Sequence, residues 1–255
     1  MKAFIAFTKK EFIESLRTYR LIILAAVFLL FGVMSPLFAK FLPEILGSLD
    51  MGGGATLTLP EPVAMDSWAQ FFKNVGQMGM LALIITFCGI MSNEFSRGTL
   101  VNLLTKGMKR RTVILSKFLS ASALWAGSYL LCLAACWAYT AYYWPASGLS
   151  HAFLAFLAPW LFGELLIALL IFGGTLSGNF YGSLGVCGGA VVALLLLNIA
   201  PKAQKYNPVV LSSGTLELLN SQKDVADFIP AMIICGVATA VLIVASVAVF
   251  SKKRV

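Results

Sequence analysis

The stretch LIILAAVFLLFGVMSPLFA, residues 21–39, has no charged side chain and directly follows an arm that carries five basic residues. A helix over this stretch is about 28 Å long, close to the hydrocarbon thickness of a bilayer. The stretch is longer than the apolar core of a usual signal peptide, and no A-x-A cleavage site follows it. We therefore interpret it as a retained membrane anchor.

Further apolar stretches along the chain have the length and composition of membrane spans. We predict an all-α membrane protein in which residues 1–255 form a single transmembrane domain with six transmembrane helices. An N-terminal amphipathic helix over residues 2–20 precedes the spans, and a short helix lies in the loop between the second and third spans. The predicted spans are residues 21–39, 75–92, 114–143, 152–175, 182–200 and 228–250.

The composition supports the membrane class. Hydrophobic residues make up 59% of the chain and charged residues 12%, whereas charged residues make up about 25% of a typical soluble domain. The five cysteines all lie in apolar stretches. Their odd number and their setting argue against a disulfide framework.

The basic residues are distributed unevenly between the two sides of the predicted bundle. Of the 19 Lys and Arg residues, all but five lie in the N-terminal arm, in the 93–117 loop or in the C-terminal tail. The positive-inside rule places these three regions, and so both termini, in the cytoplasm. The net charge of +8 is thus a signal of topology and does not indicate nucleic-acid binding. We expect a multi-pass protein of a cell membrane, of the bacterial cytoplasmic membrane in particular, in contact with membrane lipid.

The N-terminal arm has two unlike faces when it is drawn as a helix. Phe4, Phe12 and Leu16 gather on one face, with Lys9 and Arg17 mostly opposite. A segment of this kind is predicted to lie flat on the cytoplasmic leaflet. The alternative is an ordinary basic flank that only sets the topology.

The segment NEFSRGTLVNLLTKGMKRRTVILSK, residues 93–117, carries the most specific pattern in the chain. Glu94 lies where the second predicted span ends, and Asn93 or Ser96 can cap a new helix. Leucines at helical spacing give that helix a short apolar ridge, which is suited to a groove on a partner protein. The alternative for Glu94 is a solvated carboxylate that pairs with Arg97.

This segment resembles the permease subunits of ABC-2 type exporters. In that family a Glu at the inner end of the second span is followed by Gly-Thr-Leu, a Leu pair, a basic residue and a Lys that opens the third span. The amphipathic arm, the order of six spans and the chain length are also similar to the family. One departure is Gly107-Met108-Lys109, where the family often has a turn that contains Pro.

The resemblance implies a mechanism and a set of partners. The arm would be the family's elbow helix, and the 93–117 loop would hold a coupling helix pressed against a separate ABC ATPase subunit. Two permease copies, or this chain and a homologous permease, would form the translocation pathway. The residues that the resemblance assigns to coupling are Glu94, Arg97, Gly98, Thr99, Leu100, Leu103, Leu104, Arg110 and Arg111, and Lys117 opens the third span.

Glu164 is the one carboxylate deep inside a predicted span. A charge at that depth costs at least a few kcal/mol, so the side chain is expected to face protein or water. We consider two interpretations. Glu164 lines the pathway or the seam between two permeases, or it is a neutral acid bonded to a neighbouring helix.

Little in the sequence favours an enzyme. No GxxxxGK[ST] phosphate loop occurs, so ATP would be bound by the partner subunit, and we predict no cofactor or metal site in this chain. The single histidine, His151, has no carboxylate nearby in sequence. Two alternatives remain: an intramembrane enzyme that acts on lipid or peptide through Glu164 or His151, and a non-catalytic membrane immunity or assembly factor. The substrate of an exporter stays open at this stage.

Overall fold

The computed structural model of the chain describes residues 2–48, 61–96, 98–105, 107–145 and 149–253. All regular secondary structure in these ranges is helical, and six helical stretches are long and apolar enough to cross a membrane. The predicted all-α membrane fold is therefore confirmed. The six candidate spans are Arg20–Ile45, Ala64–Ser96, Arg110–Tyr143, Ala152–Ser177, Phe180–Leu197 and Val225–Lys252.

Shorter helices join and flank these spans. In chain order the α-helices are α1 (Lys2–Arg17), α2 (Arg20–Ser48), α3 (Ala64–Asn74), α4 (Met80–Phe87), α5 (Ser92–Ser96), α6 (Thr99–Thr105), α7 (Arg110–Tyr143), α8 (Ala152–Ser177), α9 (Phe180–Leu197), α10 (Pro201–Gln204), α11 (Val210–Ser213), α12 (Thr215–Leu219) and α13 (Val225–Lys252).

The second span differs most from its predicted bounds, because it begins at Ala64 rather than at residue 75. The backbone N–H of Val63 donates to the Asp66 carboxylate (2.9 Å), which starts the helix there. Asp66 and Lys73 lower the hydropathy of this first half, so a search for apolar runs misses it. A π-helical turn, Val75–Gly79, then joins α3 to α4.

Helix α8 lies at the centre of the bundle. Within its most apolar window 78% of the residues are buried, against 11% for α9 and 22% for α13. Helices α7, α9 and α13 pack around it, and α4 lies against it as well. The core therefore surrounds the fourth span, and α9 and α13 present most of their surface outward.

Helices α2 and α7 form another close pair. Gly32 makes the close crossing possible, because a Cβ atom built there would lie 2.5 Å from the carbonyl oxygen of Cys132. Phe28 of α2 is fully buried and meets the ring of Trp125 edge to face, with the centroids 5.2 Å apart. The contact between Phe28 and Trp125 holds the first span against the third.

The connection between the fifth and sixth spans holds three short helices, α10 to α12. Leu211 of α11 and Leu218 and Leu219 of α12 are buried, so α11 and α12 pack into the bundle instead of lying free above it. Helix α11 contacts α3, α8 and α13.

Candidate functional site

The N-terminal arm, the loop between the second and third spans and the end of α13 meet at one end of the bundle, which we call the basic end. Lys10 of α1 bonds Glu94 of α5, and Arg110 at the start of α7 bonds the carbonyl of Lys253 (2.6 Å). The sequence predicted from charge alone that these three regions share one side, and their contacts agree with it. The expectation that this end faces the cytoplasm rests on the positive-inside rule.

The segment that leaves the second span, which we call the inter-span segment, holds two short helices: α5 (Ser92–Ser96), at the end of that span, and α6 (Thr99–Thr105), separate from it. Gly98 lies at the bend between them with φ +64°, a conformation that glycine adopts without the strain a Cβ atom would bring. A Cβ atom at Gly98 would meet no other atom within 4 Å. The backbone therefore favours glycine here, while the space around it is open.

Glu94 of α5 is buried and binds two lysines. Its carboxylate lies 3.1 Å from the ammonium of Lys117 in α7 and 2.9 Å from that of Lys10 in α1. The hydroxyl of Thr99, the first residue of α6, also donates to it. One carboxylate thus joins the second span, the third span, the N-terminal helix and α6.

Lys117 extends this cluster to a second acid. Its ammonium lies 2.9 Å from the carboxylate of Glu11 in α1, and both side chains are almost fully buried. Removing one partner from such a buried cluster is costly, because an uncompensated charge remains in a medium of low dielectric constant. We call Lys10, Glu11, Glu14, Glu94 and Lys117 the charge cluster.

Lys10 completes the charge cluster on its more exposed side. Its ammonium contacts the carboxylates of Glu11 (3.0 Å), Glu14 (2.6 Å) and Glu94 (2.9 Å). Partial burial disfavours the charged form of Lys10, but hydrogen bonds to Glu14 and Glu94 and the charge of Glu11 outweigh it and raise the pKa of Lys10 above its ordinary value. Lys10 therefore stays charged at physiological pH.

The three acids of the charge cluster also have the spacing of a metal site, since their carboxylate oxygens lie within 4.8 Å of one another. The ammonium of Lys10 bridges all three, however, and Lys117 pairs with two of them. Each carboxylate that a cation would need is thus already paired with an ammonium group. The arrangement is that of an ion-pair network that joins helices.

A cleft of about 580 Å³ opens beside the charge cluster, between α1 and the inter-span segment. Its walls carry charge of both signs together with small polar groups. They are formed by Lys10, Ile13, Glu14, Arg17, Thr18, Asn93, Glu94 and Thr99. The cleft thus combines charged groups with the apolar stems of their side chains and has room for a side chain of another molecule.

The apolar residues predicted for coupling do not all lie on the surface. Leu100 is fully buried in the chain's own core, and Leu104 is partly buried against it. Arg97 and the side chain of Leu103 lie outside the described residues. The leucine ridge of α6 therefore anchors that helix to the bundle, at least through Leu100.

The adjacent arginines Arg110 and Arg111 have different surroundings. Arg110 donates to the carbonyls of Phe250 and Lys253 at the end of α13, and its guanidinium lies over the Phe250 ring. Arg111 is exposed. Arg110 thus caps the last span, and Arg111 is the one available to a partner.

Glu164 lies inside the bundle, 6% exposed, where α8 faces α7. The hydroxyl of Ser122 donates to one of its carboxylate oxygens, and the other oxygen has no hydrogen-bond partner among the described residues. This position between two helices of one chain favours the interpretation of a helix-bonded acid over that of a seam between two permeases.

Sequence reasoning identified Glu94 but not the rest of the charge cluster. Nothing in the sequence pattern singles out Glu11 or Glu14, and the family resemblance gives Lys117 only as the residue that opens the third span. A signal was available, because Lys117 lies within the predicted span 114–143, and a charge inside a span is expected to have a partner. Which acids would reach it depends on the tertiary fold.

Comparison with known proteins gives two matches. The family described as "ABC-2 family transporter protein" matches residues 5–255, nearly the whole chain. An uncharacterised transmembrane protein of Bacillus subtilis (strain 168), YxlG, is 24% identical, and the match covers 86% of each chain.

Proposed function

Because the chain belongs to the ABC-2 transporter family, we propose that it is the permease subunit of an ABC exporter, driven by a separate ATPase subunit. The ATPase binds at the basic end, and ATP is bound by that partner, so the permease needs no cofactor of its own. The observation that carries this proposal is the charge cluster, which joins Glu94 of the inter-span segment to both α1 and α7.

The charge cluster gives the segment a physical means of moving the spans. Leu100 anchors α6 in the core, Glu94 binds Lys117 of the third span, and Lys117 binds Glu11 of α1. A displacement of α6 by the ATPase is therefore passed to several helices at once. Closure of the ATPase on ATP would tilt these helices as a rigid group and switch the pathway between inward and outward access.

The proposed exporter contains two permeases. Helix α9 supports this part, because it is mostly exposed and carries Gly185, Gly188 and Gly189, where an added Cβ atom would meet nothing within 4 Å. Small residues let helices approach closely in a membrane. A second copy, or a homologous permease, can therefore pack against this helix.

The enzyme alternative gains no support from the geometry. His151 and Glu164 lie in or next to the same helix, α8, and their separation along the chain corresponds to roughly 20 Å. They therefore do not form a catalytic pair, and each would have to act with other residues. No specific observation favours the immunity or assembly factor.

Co-purification tests the proposal. The tagged permease is expressed with a candidate ABC ATPase subunit, extracted in mild detergent and assayed for bound ATPase and for ATP hydrolysis. We expect a stable complex whose hydrolysis rate exceeds that of the ATPase alone. Absence of binding, together with turnover of a lipid or peptide by the purified chain without nucleotide, would instead establish the enzyme alternative.

A further inference from the structure

A second cavity lies in the opposite half of the bundle from the charge cluster. Its volume is about 550 Å³, within the range of small-molecule sites. The second, fourth and fifth spans and the short helices α11 and α12 line it. We call it the outer cavity.

Lys73 is the only charged side chain among the residues that line the outer cavity. It is exposed and forms no ion pair with any described residue. Gln77, Ser212 and Ser213 add polar groups to the wall. A charge within a candidate membrane span is costly, so an unpaired lysine here indicates either a route to the headgroup region or an anionic ligand.

The rest of the lining is apolar. On the second span the wall continues one turn at a time from Lys73 through Met80 to Ile84, a distance of roughly 16 Å along the helix. Phe162, Leu166 and Leu195 face it from the fourth and fifth spans. The outer cavity therefore has a cationic end and a long apolar body.

The π-helical turn lies at the centre of this wall. Gly76 packs so closely on α11 that an added Cβ atom would lie 2.9 Å from the hydroxyl of Ser212, and at Gly79 it would lie 2.9 Å from the ring of Phe28. The turn is thus held between α11 and α2. Turns of this type occur often at functional sites, because they re-aim the side chains around them.

We propose that the outer cavity binds an amphiphile with one anionic headgroup and a hydrocarbon chain. The headgroup lies against Lys73, and the chain lies among the apolar residues below it. A cationic headgroup would be repelled by the ammonium of Lys73, and an uncharged headgroup would leave that ammonium unpaired. The charge of Lys73 therefore selects an amphiphile with an anionic headgroup. The binding of this amphiphile does not depend on the proposed function. Its role as the exported cargo rests on that function.

Equilibrium binding of radiolabelled laurate to the full chain in phosphatidylcholine nanodiscs tests the proposal, with no ATPase and no nucleotide present. Dodecanol and dodecyltrimethylammonium, which have the same chain length, serve as competitors. We expect saturable binding of laurate and weaker competition by both analogues. Equal competition by all three headgroups would overturn the proposal and indicate that bilayer lipid fills the cavity.

Variants locate the binding site. Lys73→Gln should weaken laurate binding by about tenfold, the loss expected for one charge-assisted contact, and Lys73→Arg should retain it. Leu81→Trp, at an exposed position of the wall, should reduce binding by filling the cavity. Lys202→Gln, an exposed lysine of α10 outside the cavity, is the matched control.

The outcomes separate the two proposals. Wild-type affinity in Lys73→Gln contradicts the site whether or not an ATPase associates with the permease. Laurate binding that depends on Lys73, in a chain that recruits no ATPase, supports the site and contradicts the exporter.

Discussion

Lys117 is the residue on which the basic end depends. It is 2% exposed and pairs with two carboxylates from different elements, Glu11 and Glu94. Sequence alone could indicate Glu94, because it follows an apolar run and precedes a recognisable motif. It could not indicate Glu11, since the contact spans over a hundred residues and exists only once α1 folds back against α7.

Replacement of Lys117 should therefore destabilise the protein. Among the described residues, Lys117→Met leaves Lys10 as the remaining ion-pair partner of Glu11 and Glu94, and removal of one member of a buried ion pair costs about 3–5 kcal/mol. We expect the unfolding temperature in detergent to fall by on the order of 10 °C.

Two further variants make this test specific. Lys9→Met, at an exposed position of α1, should leave the unfolding temperature unchanged. Adding Glu94→Gln to Lys117→Met should recover part of the loss, because it removes an uncompensated carboxylate. Equal unfolding temperatures for Lys117→Met and Lys9→Met would show that the charge cluster does not stabilise the fold.

The neighbouring arginines should have separable effects. Arg110→Ala removes a charge-assisted cap from the end of α13, which we expect to cost about 1–2 kcal/mol and to speed amide exchange in the residues just before Lys253. Arg111→Ala should leave this exchange unchanged and weaken ATPase binding. Mass-spectrometric hydrogen exchange and a binding assay measure the two effects, and the reverse pattern would refute the assignment.

At the scale of elements, α6 (Thr99–Thr105) lies within residues 93–117, where a short helix is predicted, and Gly98 precedes it with a positive φ. The amphipathic arm is a helix as well, and it ends at Arg17. Periodicity predicts a helix in both places, but on α1 the buried side chains are Phe7, Glu11 and Ser15, while Leu16 of the predicted apolar face is exposed. Gly98 sets the position of the bend. The motif gives the place of Gly98 in the sequence, and the structure gives its positive φ.

Two substitutions at Gly98 distinguish backbone strain from steric hindrance at the docking surface. Gly98→Ala and Gly98→Trp share the cost of a positive φ, about 1–2 kcal/mol, because both add a Cβ atom. Only the Trp side chain extends into the open space outside the bend. Both variants should insert into the membrane, and Gly98→Trp should lose stimulation of the ATPase while Gly98→Ala keeps most of it.

The measurement is the ATP hydrolysis rate of the reconstituted complex. Equal stimulation by the two variants would mean that no partner contacts this surface.

The spans illustrate what hydropathy can and cannot predict. Their number and order followed from the apolar runs, and the bounds of the fourth span, 152–175, closely match Ala152–Ser177. The first part of the second span, residues 64–74, was missed, because Asp66 and Lys73 place charged groups in it. The π turn and the outer cavity depend on packing by α11 and were beyond reach of the sequence.

At the scale of the whole molecule, the burial of the spans is markedly uneven. The fourth span is enclosed, whereas the fifth and sixth are largely uncovered by the chain itself. Lipid can cover such surfaces, and so can a second permease. The glycines of α9 favour the second permease, since they leave a shallow surface that a helix fits more closely than a lipid chain.

Bulky residues on α9 should therefore break the permease pair. Gly185→Leu with Gly189→Leu should convert a dimer into a monomer, observed by native mass spectrometry of the protein released from detergent. Gly127→Leu, at an exposed position of α7 that is equally open, is the control and should remain dimeric. A dimer that survives in the α9 variant places the permease interface elsewhere.

The central claim is that Glu94 passes the motion of the ATPase to the spans. Its most direct test is hydrogen exchange in α10 to α12, at the far end of the bundle, with and without ATP in the reconstituted complex. In the wild type we predict that ATP changes exchange there, and that Glu94→Ala still binds and activates the ATPase but abolishes this change. An ATP-dependent change of the same size in Glu94→Ala would contradict the account.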